Sequence, residues 1–143
     1  MRTVNDWVKN VVSVRPIASS GATHNGAAID TLGFNSLLAD VEIGAATGSP
    51  TSFTVDAKLQ ESTNGSSGWA DISGASITQQ TAESKSAQIA LEGLGVGTRK
   101  RYVRVVITTA FVGGTTPTIP VASVVELGNP YRKPVGNAGL VGA

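Results

Sequence analysis

The segment FTVDAKLQES, residues 53–62, alternates without a break. Phe53, Val55, Ala57 and Leu59 fall on one side, and Thr54, Asp56, Lys58 and Gln60 on the other. A helix would scatter these apolar positions around its circumference, whereas a strand puts all of them on one face. The same period of two recurs along the chain. In NSLLADVEIG, Leu37, Ala39, Val41 and Ile43 oppose Asp40 and Glu42. SAQIALEGL turns Ala87, Ile89 and Leu91 one way, and RYVRVVITTAF sets Val103, Val105 and Ile107 against Tyr102, Arg104 and Val106. VVSVRPI, WADISGASIT and IPVASVVELG add further strands. Pro120, which has no N–H to donate, belongs at an edge or a strand entrance.

Turn-rich runs separate these segments: ASSGATHNG, AATGSPTS, the GSSG hairpin turn, GVGT and FVGGTTPT. No internal segment carries a convincing helical period. The 17 glycines and the low charged fraction, 15 % against roughly 25 % in ordinary soluble domains, favour strands and turns. About eight antiparallel strands closing over one core predict an all-β sandwich of the jelly-roll type. An immunoglobulin-like sandwich is the main rival, but its Cys…Trp…Cys marker is missing. The sandwich is expected over residues 11–128. Before it, residues 1–10 read as an arm, with Val4, Trp7, Val8 and Val11 at helical spacing and Thr3 with Asp6 in the form of a capping box. Either Trp7 tucks onto its own domain or the arm docks on a neighbouring subunit. After the sandwich, residues 129–143 (NPYRKPVGNAGLVGA) lack periodicity and read as an extended tail.

Catalytic chemistry finds little to build on. The chain has no cysteine, so thiolate chemistry, disulfides and zinc–thiolate sites are excluded. A net charge of +1 gives no electrostatic case for direct nucleic-acid binding. The opening MRTVNDWVKN lacks the apolar region of a secretory signal, and no run approaches a membrane span. His24, the one histidine, sits in THNG and reads as a solvated turn residue, not a triad member. The acids are scattered on polar strand faces and read as solvated or paired with Lys58, Arg104 and their neighbours. GLGVGTRK lacks the GK[ST] ending of a phosphate loop. No catalytic residue, metal site or cofactor is expected. Arg99, Lys100 and Arg101, with Arg104, form the one local charge cluster. They serve either to discourage unwanted strand pairing at an edge or to contact a partner. Trp69 lacks companion aromatics for a sugar platform, so its expected role is burial against a neighbouring strand.

The ordered series LQES, turn, GW-x-DISGA, then KRYVRVVIT, then VASVVELGNPYRKPV resembles a group of small proteins encoded in tailed-phage head gene clusters. The similarity spans roughly residues 14–135. Asn64 stands where that group commonly has Asp, and the turn carries an extra Ser-Gly, so no ligand role for the turn is implied. Members of the group are similar to head decoration, or cement, proteins, which are jelly-roll subunits lying as oligomers over capsomer junctions. The resemblance implies a non-enzymatic structural virion protein on the outer surface of the capsid, made in the host cytoplasm. Its partners would be the major capsid protein and itself, as a homodimer or homotrimer, with no membrane and no nucleic acid. Aromatics and arginines dominate interface energetics, so Trp7, Val8, Tyr131 and Arg132 are the expected anchors, together with Arg99, Lys100 and Arg101. A tail or neck component and a carbohydrate-binding module are the alternatives.

Overall fold

The structure, a computed structural model, describes residues 4–132. Thr3 of the expected capping box and tail residues 133–143 lie outside the described residues. A short 3-10 turn, Val4–Asp6, precedes nine strands: β1 (Lys9–Ser19), β2 (Thr23–Asn25), β3 (Ile29–Asp30), β4 (Phe34–Ile43), β5 (Ser52–Ser62), β6 (Ala70–Ser76), β7 (Lys85–Glu92), β8 (Tyr102–Val112) and β9 (Ile119–Pro130). Two residues of the expected arm and two of the expected tail therefore pair within a sheet.

All pairings between these strands are antiparallel. One sheet has the order β1-β9-β4-β7; the other has β2-β8-β5-β6, with β3 also on β8. The topology follows from one folded ribbon. β1 pairs with β9, β2 with β8, β4 with β7 and β5 with β6, and successive pairs fall into alternate sheets. This is the jelly-roll arrangement that the alternation predicted. The count rises to nine because residues 23–30 contribute two short strands to β8.

The inward faces are the ones that the alternation picks out. Leu37, Ala39, Val41 and Ile43 of β4, Phe53, Val55, Ala57 and Leu59 of β5, and Val103, Val105 and Ile107 of β8 are all buried. Ile119, Val121, Val125 and Leu127 of β9 complete the core. Removing this apolar surface from water is the main force holding the two sheets together. β9 runs between β1 and β4, so Pro120 lies at a strand entrance and not at an edge. Its carbonyl still accepts the Gly44 N–H at 2.8 Å. β1, by contrast, is an edge strand carrying Pro16, and its register slips between Val12 and Val14 and again between Val14 and Ile17.

His24 is not a turn residue. It lies in β2 opposite Ile107, and its Nε2 is 2.7 Å from Ser19 Oγ, which in turn contacts Thr109 Oγ1. Local turn chemistry could not reveal a three-residue strand whose only support is a distant strand. No acid lines the groove beside it, which is formed by Ser13, Val14, Arg15, Pro16, Ile17, Thr23, His24 and Asn25. The constellation is imidazole–hydroxyl–hydroxyl, without the carboxylate that orients a triad histidine.

Candidate functional site

The topology gathers residues that are far apart in sequence at one end of the sandwich. β1 and β4 start there, and so does β8; β5, β7 and β9 finish there. The register shows this directly: Lys9 pairs with Leu127, Phe34 with Pro130, Ser36 with Glu92, Ser62 with Tyr102, and Asp30 with Tyr102. Trp7, Val8, Arg99, Lys100, Arg101, Tyr131 and Arg132 all lie at or beside these strand ends. The hairpin carrying Trp69 closes the same end.

The cationic run is engaged within the domain. Arg101 donates to both carboxylate oxygens of Asp30, at 2.8 and 2.7 Å. The paired guanidinium holds the Asp30 carboxyl below its ordinary range, and Asp30 raises the Arg101 value in return. Arg101 also lies 5.3 Å from the Tyr102 ring centroid. Arg99 Nε is 3.5 Å from Glu61 Oε2, the same oxygen that accepts the Lys100 backbone N–H at 3.1 Å. β8 runs inside its sheet, between β5 and the β2/β3 pair. The cations at its start therefore do not shield a sheet edge, and that reading is corrected. Their local density had a different cause: two chain-distant acids, Asp30 and Glu61, require partners here.

Trp69 also differs from expectation. It lies just before β6, half-buried on the outer side of the sheet, and not in the core. Ile72 and Ala75 are the inward residues of that strand. The Arg104 guanidinium covers the indole at 4.4 Å from the ring centroid, and burial lowers the Arg104 pKa. Gln60 Oε1 accepts from Arg104 at 2.7 and 3.0 Å. Gln60 in turn donates to Asp71, which Lys58 pairs at 2.7 Å. The hairpin turn is tied by its own side chains. Asn64 Oδ1 accepts the N–H groups of Ser66 and Ser67, each at 2.9 Å. Gly65, at φ 76°, lies flat against Tyr102, where a Cβ would come within 2.9 Å of the ring.

Besides Val4, 75 % exposed ahead of β1, three large apolar side chains remain in solvent at this end: Leu32, 66 % exposed, Val96, 59 %, and Tyr131, 54 %. Tyr131 connects them. Its N–H donates to Gly33 O at 2.8 Å and its hydroxyl to Leu94 O at 3.1 Å, so it straddles the two loops that carry Leu32 and Val96. Gly95 is needed beneath it, at φ 75°, because a Cβ would lie 2.7 Å from the Tyr131 hydroxyl. Trp7 and Val8 are half-buried. Val8 lines a shallow groove across the sheet with Leu38, Ala90, Glu92 and Glu126. Sequence reasoning missed Leu32 and Val96. The available signal was an apolar residue set inside a turn, TLGF and GVGT, where a turn alone would call for a polar one. A larger concavity of about 610 Å³ opens at the opposite end, lined by Thr47, Ser49, Thr51, Thr81 and Glu83 among others. Among the described residues no three His, Asp or Glu side chains group to hold a metal ion.

No protein-family model matches the chain, and no curated protein matches it. Among solved structures it is similar to one of infectious bursal disease virus, Gx strain, at 11 % identity and a TM-score of 0.46, covering 88 % of this chain and 34 % of that one. The chain thus spans about a third of the length of that protein. It is also similar to the SPBc2 prophage-derived protein YomS, at 13 % identity and TM-score 0.41, over 83 % of this chain and 92 % of that one. A third likeness is to the Clostridium thermocellum endo-1,4-β-D-xylanase 10B, at 8 % identity and TM-score 0.40, covering 96 % of this chain and 30 % of that one. Likenesses this distant choose no function.

Proposed function

We propose that the chain is a structural virion protein, a capsid decoration subunit that binds the major capsid protein through the end of the sandwich bearing Leu32, Val96 and Tyr131. One observation carries this reading. The segments that resemble phage head proteins are scattered along the sequence, yet LQES ends, GW-x-DISGA begins, KRYVRV begins and ELGNPYR finishes at this same end. That end also exposes Leu32, Val96 and Tyr131, the first two beside glycines of positive φ. Exposed apolar groups rimmed by polar residues are what a docking surface presents.

On this proposal the 11–128 sandwich is an inert, non-enzymatic block. The arm (1–10) and tail (129–143) extend its contact area, with Trp7, Val8, Tyr131 and Arg132 as anchors and the Arg99–Arg101 run as the charged rim. The subunit self-associates and lies on the outer surface of the capsid after synthesis in the host cytoplasm; it contacts neither nucleic acid nor membrane. Several weak contacts made by one oligomer then act together by avidity.

The test is co-sedimentation with purified heads stripped of the protein. Leu32→Asp combined with Val96→Asp alters only exposed side chains, so circular dichroism should be unchanged while shell binding weakens about tenfold or more. Undiminished binding would overturn the docking end. Wild-type protein that binds no shells would overturn the decoration reading, and recovery from tail or neck fractions would move it there.

A further inference from the structure

The end of the sandwich opposite Leu32, Val96 and Tyr131 holds the concavity of about 610 Å³, a volume within the roughly 300–1,000 Å³ of small-molecule sites. Its walls come from the loop before β5, the first residues of β5 and the loop before β7. These loops are tied to one another and to the loop before β9. Thr47 and Thr118 exchange backbone hydrogen bonds at 2.8 and 3.3 Å, and their hydroxyls meet at 2.7 Å. The Thr51 N–H donates to Val112 O and the Thr115 N–H to Gly48 O, both at 2.8 Å. Gly114 packs so closely that a Cβ would lie 2.6 Å from Gly48 O. On the other side, the Ala46 N–H donates to Glu83 Oε1 and the Ser84 N–H to Gly44 O, both at 3.1 Å. Among the described residues, three of the four non-glycine positions with positive φ lie in these loops: Ser49 at 50°, Ser84 at 52° and Thr116 at 43°. That conformation is costly, most of all for β-branched Thr116, and such positions cluster where a loop is shaped for a ligand.

We propose that this cavity binds a neutral oligosaccharide. The chemistry of its walls selects that class. The hydroxyls of Ser49, Thr51, Ser52, Thr54 and Thr81 line it, and none of these five has a hydrogen-bond partner among the described residues. A serine or threonine hydroxyl both donates and accepts, as the hydroxyls of a sugar do, so the two sets pair in either sense. Glu83 is the one charged group of the wall among the described residues. The Ala46 N–H fixes its Oε1, which leaves Oε2 to accept from a sugar hydroxyl. No Lys or Arg stands among the described lining residues, so an anionic ligand would meet no counter-charge. A single carboxylate is likewise too little to hold a divalent cation. The apolar part of the wall is Ala46, Pro50 and Phe53, with Phe53 only 8 % exposed, which is too little for a wholly apolar ligand. With no open aromatic face to stack on, affinity comes from hydrogen bonds on pre-organised loops and is modest, with Kd about 1 mM. The cavity lies away from the proposed docking end, so both ends can be occupied together.

The test uses the full chain without any capsid, so it stands or falls separately from the decoration reading. Isotope-labelled protein is titrated by NMR with maltotriose, cellobiose, lactose, chitobiose and mannotriose, and with sialyllactose as an anionic control, each up to about 10 mM. At least one neutral sugar should give saturable amide shifts confined to residues 46–54 and 81–83. Thr51→Val combined with Thr81→Val removes two exposed hydroxyls at nearly constant shape and should weaken binding about tenfold, with unchanged circular dichroism. Ser52→Ala, a milder change, should weaken it about threefold. Leu32→Asp with Val96→Asp, at the other end, should leave sugar binding at the wild-type level. Absence of shifts with every neutral sugar, binding of sialyllactose alone, shifts that centre on the Trp69 hairpin, or an affinity indifferent to the lost hydroxyls would each overturn the site.

Discussion

Gly26→Ala tests the packing where the chain crosses from one sheet to the other. On the side away from β5, β8 lacks a strand partner between Asn25, opposite Val106, and Ile29, opposite Val103. The Ser13 side chain of β1 fills that gap: its Oγ accepts the Val105 N–H at 3.0 Å and donates to Ala27 O at 3.3 Å. Gly26 lies directly over this junction, and its own N–H donates to Val105 O at 2.8 Å. A Cβ there would overlap Ser13 Oγ and lie 2.7 Å from Val105 O. Ser13 can rotate away, but the buried Val105 N–H then loses its acceptor, at about 1–3 kcal/mol. The Val105 carbonyl belongs to an interior strand and cannot rotate, and forcing a methyl against it costs about 1–3 kcal/mol more. The sum, about 2–6 kcal/mol, corresponds to a Tm lowered by roughly 6–20 °C in a chain of this size. Ser13→Ala loses the hydrogen bond without the overlap and should cost about 1–3 kcal/mol. In the double variant the methyl no longer meets the hydroxyl, so the two costs should fall short of additive by at least about 1 kcal/mol. Urea unfolding and calorimetry of the four proteins measure the cycle. A Gly26→Ala protein within about 0.5 kcal/mol of wild type, or strict additivity, would refute the account.

Asp30 is held below its ordinary range in the folded protein by Arg101, so its contribution is present above the unfolded carboxylate value, about 3.9, and fades as pH falls through the lower folded one. Asp30→Asn should therefore lie below wild type in urea midpoint at about pH 6, with the gap closing toward about pH 2; a gap that widens on acidification contradicts the pairing. Arg104→Met removes the cation covering Trp69 at 4.4 Å. In a Trp7→Phe background the indole emission should shift to the red, with a stability loss of about 0.5–1 kcal/mol. Unchanged emission would mean that the two groups are not stacked.

The inward faces of β4, β5, β7 and β8 were legible because burying one side of a strand requires strict alternation, and a slip of one residue would invert the whole face. The strand count was legible less well. Thr23–Asn25 and Ile29–Asp30 carry turn residues locally and become strands only because β8 lies beside them. The same gap misplaced His24. The basic run at 99–101 was visible, but its partners Asp30 and Glu61 lie 71 and 39 positions away along the chain, beyond the reach of any local pattern. Trp69 is in step with outward Asp71 and out of step with inward Ile72, so its outer face was legible, whereas the Arg104 that covers it comes from a different strand and was not.

From its residues alone the chain was bound to form antiparallel strands, with one apolar side each and glycine-rich turns between them, since no other backbone conformation buries that pattern. Which loops share an end, which strands form the edges and which charges meet depend on how the ribbon folds over itself. Those are contacts between residues tens of positions apart, and their free energy exists only once both sheets are in place.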